Sequence, residues 1–276
     1  MIDLGDVHRI TVAVRDPAGA LADPDTATLT VSLPDGTTAS PVVSLPPAET
    51  GVLVADYVTT QAGRHAFRLV TTGPATAYSD VFDVRPADPG FIVSLADAKA
   101  HLNIPVSRTT DDEELRSFIE ATTAVVERFA GAVLRASHTQ TFDGGRKAVV
   151  LAHTPILAVT SVTESGTVVA APGYDLDGDS GVLTRLSGGF QSFWSGGAAN
   201  ITVAYTAGRQ IIPANISRAA LIILKHMWET QRASGGGRPG LSEEVAGPAT
   251  YMANPSAYTI PYRALELLGE PTSGIA

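Results

Sequence analysis

The stretch Ser94–Gly131, SLADAKAHLNIPVSRTTDDEELRSFIEATTAVVERFAG, decides how the rest of the chain must be arranged. It spells two helices with a break between them. Ser94 stands at an N-cap position and Asp97 follows three residues later, an S-x-x-D form of the capping box, with Leu95, Ala98 and Leu102 at helical spacing. Asn103, Ile104 and Pro105 end this first helix, predicted over about 94–103. Thr110 or Asp111 is placed to cap the second, over about 111–131. Asp112, Glu113 and Glu114 set negative charge on its first turn, where the helix dipole favours it, and Gly131 supplies a stop. Leu115, Phe118, Ile119, Thr122, Val125, Val126 and Phe129 recur at i, i+3, i+4 and i+7, so this helix carries one wide apolar stripe. Such a stripe requires a partner.

The partner lies far along the chain. Pro213 marks a helix start, and Ile216, Ala219, Ala220, Ile223, Leu224, Met227 and Trp228 give a second apolar face over about 214–232. Between the two helical regions the periodicity changes to 2. Thr139 to Phe142, Ala148 to Leu151, Ile156 to Thr163, Val182 to Leu186 and Ile201 to Tyr205 read as strands of a β insertion over about 133–206. Asp143-Gly144-Gly145, Gly178-Asp179 and Ser187-Gly188-Gly189 are its turns. Residues 233–256, with Gly235-Gly236-Gly237-Arg238-Pro239-Gly240, read as a flexible connection. A terminal helix follows over about 260–268, begun by Pro261 and closed by Gly269.

Upstream, residues 1–88 alternate in the same period-2 manner. Ile10, Val12 and Val14, then Leu29, Val31 and Leu33, then Phe67 and Leu69, then Phe82 and Val84 mark one face of successive strands, with Asp35-Gly36 as a turn. Short strands separated by Pro and Gly predict a small immunoglobulin-like β-sandwich. Pro86-Ala87-Asp88-Pro89-Gly90 is the expected boundary, since neither strand nor helix continues through it. The predicted class is therefore α+β: a β-sandwich at 1–88, then, over 91–276, a helical bundle with an inserted antiparallel sheet.

Composition narrows the function. With 276 residues, 44% of them hydrophobic, the chain has material for a sizeable core in each of two domains. No run of about 18 apolar residues occurs, which argues against a membrane span. The start Met-Ile-Asp-Leu-Gly-Asp lacks a basic, apolar leader, so folding in the cytosol is expected. Absence of cysteine excludes disulfides, thiolate catalysis and cysteine zinc sites. A formal charge of −9 disfavours wrapping DNA through its phosphates.

Candidate chemistry is sparse. Asp175, Asp177 and Asp179 form D-x-D-x-D. A calcium loop needs glycine at its sixth position and glutamate at its twelfth, where this chain has Ser180 and Leu186, so the run reads as a turn between strands. Gly235 to Gly240 matches G-x-G-x-x-G but follows a helix and precedes a loop, the reverse of a dinucleotide site. None of the six histidines pairs at i, i+4. No catalytic residues, cofactor or metal are expected. Two adjacent aromatics in a predicted loop, Phe193 and Trp194, have two readings: core packing, or an exposed anchor for a neighbouring molecule. Tyr258, Tyr262, Leu265 and Leu268 at the C-terminal end are further candidates for docking.

The ordered set of motifs resembles the head-tail connector, or adaptor, proteins of tailed bacteriophages. It comprises SLADAKAHL at 94–102, the acidic helix start, TPILAVTSV at 154–162, YDLD at 174–177, ITVAYTAG at 201–208, AALIILKHMWET at 219–230 and PYRALELL at 261–268. The resemblance covers about residues 91–268 and leaves the β-sandwich unaccounted for. It implies a structural virion protein, assembled in the host cytoplasm and located at the head-tail joint, in a ring of about twelve copies. The implied partners are the portal protein, neighbouring copies and the next tail-proximal ring, with genomic DNA passing through without sequence-specific binding. A surface or secreted bacterial adhesion protein that uses its β-sandwich is the alternative, and the absent export signal speaks against it.

Overall fold

The computed structural model describes residues 1–232, 241–242, 252–253 and 260–269. The glycine-rich run Gly235 to Gly240 and Tyr258 lie outside the described residues. The chain is α+β and divides into two compact units, Met1–Pro89 and Gly90–Ala276.

In the first unit, β1 (Ile2–Asp3), β7 (Thr76–Arg85), β6 (Gly63–Thr72), β3 (Thr26–Ser32) and β4 (Thr38–Ala39) form a sheet in that order, and β2 (Val7–Ala13) pairs with β5 (Val52–Val58). Alternation dictates the packing. His65, Phe67, Leu69 and Thr71 of β6 turn inward together with Ile10 and Val12 of β2 and Leu29 and Val31 of β3. The inner polar groups were not legible in the sequence. Arg85 is fully buried and donates to the Asp3 carboxylate at 2.8 Å, which ties β1 to β7. The His65 ring stacks on Phe82 at 5.0 Å, and His8 covers the same phenyl ring at 4.1 Å.

Burial holds the His8 pKa below its ordinary value, with the N-terminal amino group and His65 adding repulsion. The unfolded chain therefore takes up a proton near pH 6.5 that the folded unit resists. Stability of this unit is expected to be full above pH 6.5 and to fall as the pH drops below it. Scanning calorimetry of the whole chain at pH 7.5 and 5.5 checks this: part of the loss should disappear in His8→Gln, and an unchanged drop would refute the assignment.

In the second unit, α1 (Leu95–His101) opens as its sequence predicts: the Ser94 hydroxyl oxygen accepts the Asp97 N–H at 3.0 Å and its O–H donates to the Asp97 carboxylate at 2.7 Å. α2 (Asp112–Ala130) follows. Asp111 occupies its N-cap position but makes no side-chain cap bond; its carboxylate is instead buried and pairs with Arg108 at 2.8 Å. Lys99, only 2% exposed, is satisfied by the carbonyls of Val106 and Arg108 and by Asp112, so the linker between α1 and α2 is folded around one buried ammonium group.

α3 (Ala214–Arg232) meets α2. Phe118, Ile119 and Val126 share one core with Ile216, Ala220, Ile223 and Leu224, and Phe118 meets Trp228 edge-on at 5.7 Å. Each fully buried aliphatic side chain in this seam contributes about 2 kcal/mol. α4 (Tyr262–Leu268) closes the bundle: Ala264 is buried, and the Asn215 amide donates to the Leu267 carbonyl at 2.8 Å.

The insertion between α2 and α3 forms two sheets where the sequence reading placed one. β8 (Ala136–Phe142), β15 (Ile201–Ala207), β10 (Ile156–Glu164) and β11 (Thr167–Val168) make the first. β12 (Tyr174–Asp177), β13 (Val182–Ser187) and β14 (Phe190–Gln191) make the second, with β9 (Ala148–Val150) also on β13. A separate core of Val149, Leu183, Trp194, Ile201, Val203 and Tyr205 holds the insertion together. β16 (Leu241–Ser242) and β17 (Met252–Ala253) pair with each other.

Candidate functional site

The two adjacent aromatics part ways. Trp194 is 1% exposed and belongs to the core of the insertion, which corrects its candidacy as a docking residue. Its backbone N–H donates to the Arg146 carbonyl at 2.8 Å, and its carbonyl accepts the Gly145 N–H at 3.0 Å, so the segment zips onto the turn before β9 and the indole is driven inward. The Arg185 guanidinium lies 5.4 Å over the indole ring and donates to Glu164 at 3.0 Å. Burial pushes the Glu164 carboxyl up, but the Ser195 N–H and side chain together with Arg185 outweigh it, and the group sits below its ordinary value as a carboxylate.

Phe193, one residue earlier, points outward at 62% exposure, with the Lys147 ammonium 5.3 Å over its ring. Phe190, three residues earlier in β14, is 80% exposed. Sequence reasoning passed over Phe190, although its position directly after Gly188-Gly189, where a turn leaves little room for burial, was the available signal. Arg146 and Lys147 are exposed as well, so this end of the sheet carries two cations, one of them over the Phe193 ring.

The opposite end of β13 is acidic, with Asp177 beside Val182 and Asp179 in the turn beyond, while Asp175 pairs with Thr184 in mid-strand. Asp175, Asp177 and Asp179 are all exposed, and Asp177 accepts the N–H groups of Asp179 and Ser180 at 3.1 and 3.4 Å and the Ser180 hydroxyl at 2.6 Å. Those bonds hold the Asp177 carboxyl below its ordinary pKa, the Ser180 hydroxyl first among them. This is a side-chain-capped turn. No group of three metal-ligating side chains occurs among the described residues.

Of the C-terminal candidates, Tyr262 is 76% exposed, Leu265 is half-buried and Leu268 packs against the helical core. Nearby, Phe91, Ser94, Asp97, His101, Arg218 and Leu221 line an open groove of about 700 Å³ between α1 and α3. Burial lowers the His101 pKa, and Arg218 and Lys225 lower it further against the opposing charge of Glu229. Among the described residues, no helix is long and apolar enough to cross a membrane.

The family model for the head completion protein matches residues 91–238, more than half of the chain. This chain belongs to the head completion protein family. It is accordingly a structural protein of the bacteriophage virion, a head-tail connector sited at the head-tail joint. No curated protein matches it. Among solved structures, this chain is similar to a chain in the neck of the empty GTA particle, with 20% identity over 66% of this chain and 90% of that one and a TM-score of 0.45. It is also similar to a chain of the native gene transfer agent virion, at 21% identity over 55% and 86%, TM-score 0.43. A third likeness is to the Lin-41 filamin domain, at 22% identity over 30% and 81%, TM-score 0.26.

Proposed function

We propose that this head completion protein is one subunit of an adaptor ring of about twelve copies between portal and tail, extending the DNA channel and docking the next neck component. The observation that carries this reading is the extent of the family match: residues 91–238 span both helices of the shared seam and the whole insertion between them. A ring subunit needs a rigid body and outward patches that stay unsatisfied until a neighbour arrives. The α2–α3 seam supplies the first, and exposed Phe190, Phe193 and Tyr262 supply the second. A charge of −9 suits a protein beside a DNA path, since it repels the phosphates and does not trap the passing genome. Portal protein, neighbouring copies and the next tail-proximal ring are its partners, and its role is mechanical, not catalytic.

Removal of this chain tests the proposal. Particles assembled without it should accumulate as DNA-filled heads lacking tails, and infectious titre should fall by several orders of magnitude. Quantitative mass spectrometry of complete particles should find it at about the copy number of a neck ring. Tailed, infectious particles that lack the chain would refute the adaptor role.

A further inference from the structure

β13 carries opposite chemistry at its two ends. At its first residue, Val182 pairs with Asp177, and the turn beyond holds Asp179. At its last, Ser187 pairs with Phe190, while the Arg185 N–H donates to the Lys147 carbonyl at 2.9 Å, which places Lys147 and Arg146 on this side. Asp177 stands beside Val182 and Lys147 beside Arg185, three residues or about 10 Å apart along the strand and on opposite sides of it. One end is therefore anionic and turn-shaped. The other is cationic and apolar, with two phenyl rings in water. Asp143, in the same turn as Arg146, is already engaged within the molecule, its carboxylate accepting the Ala199 N–H at 2.7 Å.

A rigid strand keeps these patches apart, so they cannot satisfy each other within one molecule. Between molecules they match. We infer that neighbouring copies of this chain join head to tail through the β12–β13–β14 sheet, the Phe190/Phe193 end with Arg146 and Lys147 of one copy seating on the Asp177–Asp179 turn of the next. This contact is heterologous: each copy offers both halves and is left with one of each, so addition continues until the rotation closes a ring. Phenyl rings at its centre exclude water, and the charges at the rim set register and direction. The inference rests on the proposal that copies of this chain form a ring, and names the surface by which they do so.

Because the sequence contains no cysteine, an engineered disulfide reports this contact without background. Asp179→Cys and Gln191→Cys are introduced together and singly into particle-forming chains, which are then oxidised in purified particles. The double variant should give a ladder of disulfide-linked oligomers on a non-reducing gel, and each single variant a monomer band. Independently, Arg146→Glu with Lys147→Glu should lower incorporation at least tenfold, and adding Asp179→Lys should restore at least part of it, a rescue that a folding defect would not show. If the unmodified chain is present in particles at ring copy number but the double variant gives no ladder and the charge swap no rescue, the head-to-tail contact is wrong and the ring stands. If the unmodified chain is absent from particles, both fall together.

Discussion

Gly208→Val is expected to destabilise the second unit by about 4 kcal/mol, the sum of backbone strain and steric conflict. Gly208 closes the Tyr205-Thr206-Ala207-Gly208 segment and has φ +121, a conformation that L side chains rarely adopt. A Cβ there would collide with the Leu134 carbonyl oxygen and stand 2.7 Å from its carbon and 2.8 Å from the Arg135 Cα, all backbone atoms that cannot swing aside. The surroundings are fixed as well. The Gly208 N–H donates to the Pro155 carbonyl at 2.9 Å, the Arg209 N–H to that of Val133 at 3.0 Å, and the Arg209 guanidinium to that of Ala130 at 3.0 Å. This junction pins the last strand of the insertion to the end of α2 just before α3 begins. Gly189→Val provides the control: its φ is +82, but a Cβ there meets nothing within 4 Å, so strain alone of about 1 kcal/mol is expected. Denaturant midpoints followed by tryptophan fluorescence measure both, because the two tryptophans, Trp194 and Trp228, lie in this unit. Equal losses at the two glycines would show that the close approach to Leu134 is not what fixes this residue.

The contrast marks where sequence reading reaches its limit. Helix grammar was legible because capping and a 3.6-residue stripe are local: Ser94 caps α1, and Leu115, Phe118, Ile119 and Val126 are buried as their spacing requires. Distant partnership was legible too, since an apolar stripe on α2 and another on α3 each need covering and end in one core. Gly208 could be seen as a motif residue, yet the reason for it, the backbone at Leu134, lies across the insertion. Lys99 reads as a solvated residue on an amphipathic helix; only the fold of the linker brings two carbonyls and Asp112 to its ammonium group. The division of the insertion into two sheets depends on which strands share hydrogen bonds, and alternation in a single strand does not encode that. The same limit applies to Phe193 and Trp194. Successive side chains in extended backbone face opposite ways, so one of the two must point in, and a register shift of one residue exchanges them.

That opposition yields the second large effect. Trp194→Ala should cost about 4 kcal/mol, because it empties a cavity in the core shared with Val149, Leu183 and Tyr205 and leaves the Arg185 guanidinium over a void. Phe193→Ala, one residue away, should cost at most about 0.5 kcal/mol of stability, the worth of an exposed contact with Lys147. Assembly should rank them differently. A phenyl ring buried at the centre of a contact between copies is worth about 2 kcal/mol, roughly thirtyfold in the association constant, and every copy in a closed ring makes two such contacts. Phe193→Ala should therefore fold with an almost unchanged denaturant midpoint and still enter particles poorly, whereas Trp194→Ala should fail at folding, and its deficit in particles should match its loss of soluble protein. A combined stability and incorporation assay on the two variants separates an anchor from a core residue. Should Phe193→Ala enter particles as well as the unmodified chain, Phe193 would have no part in joining the copies, and the ring contact would have to be sought elsewhere, beginning with Tyr262 on α4.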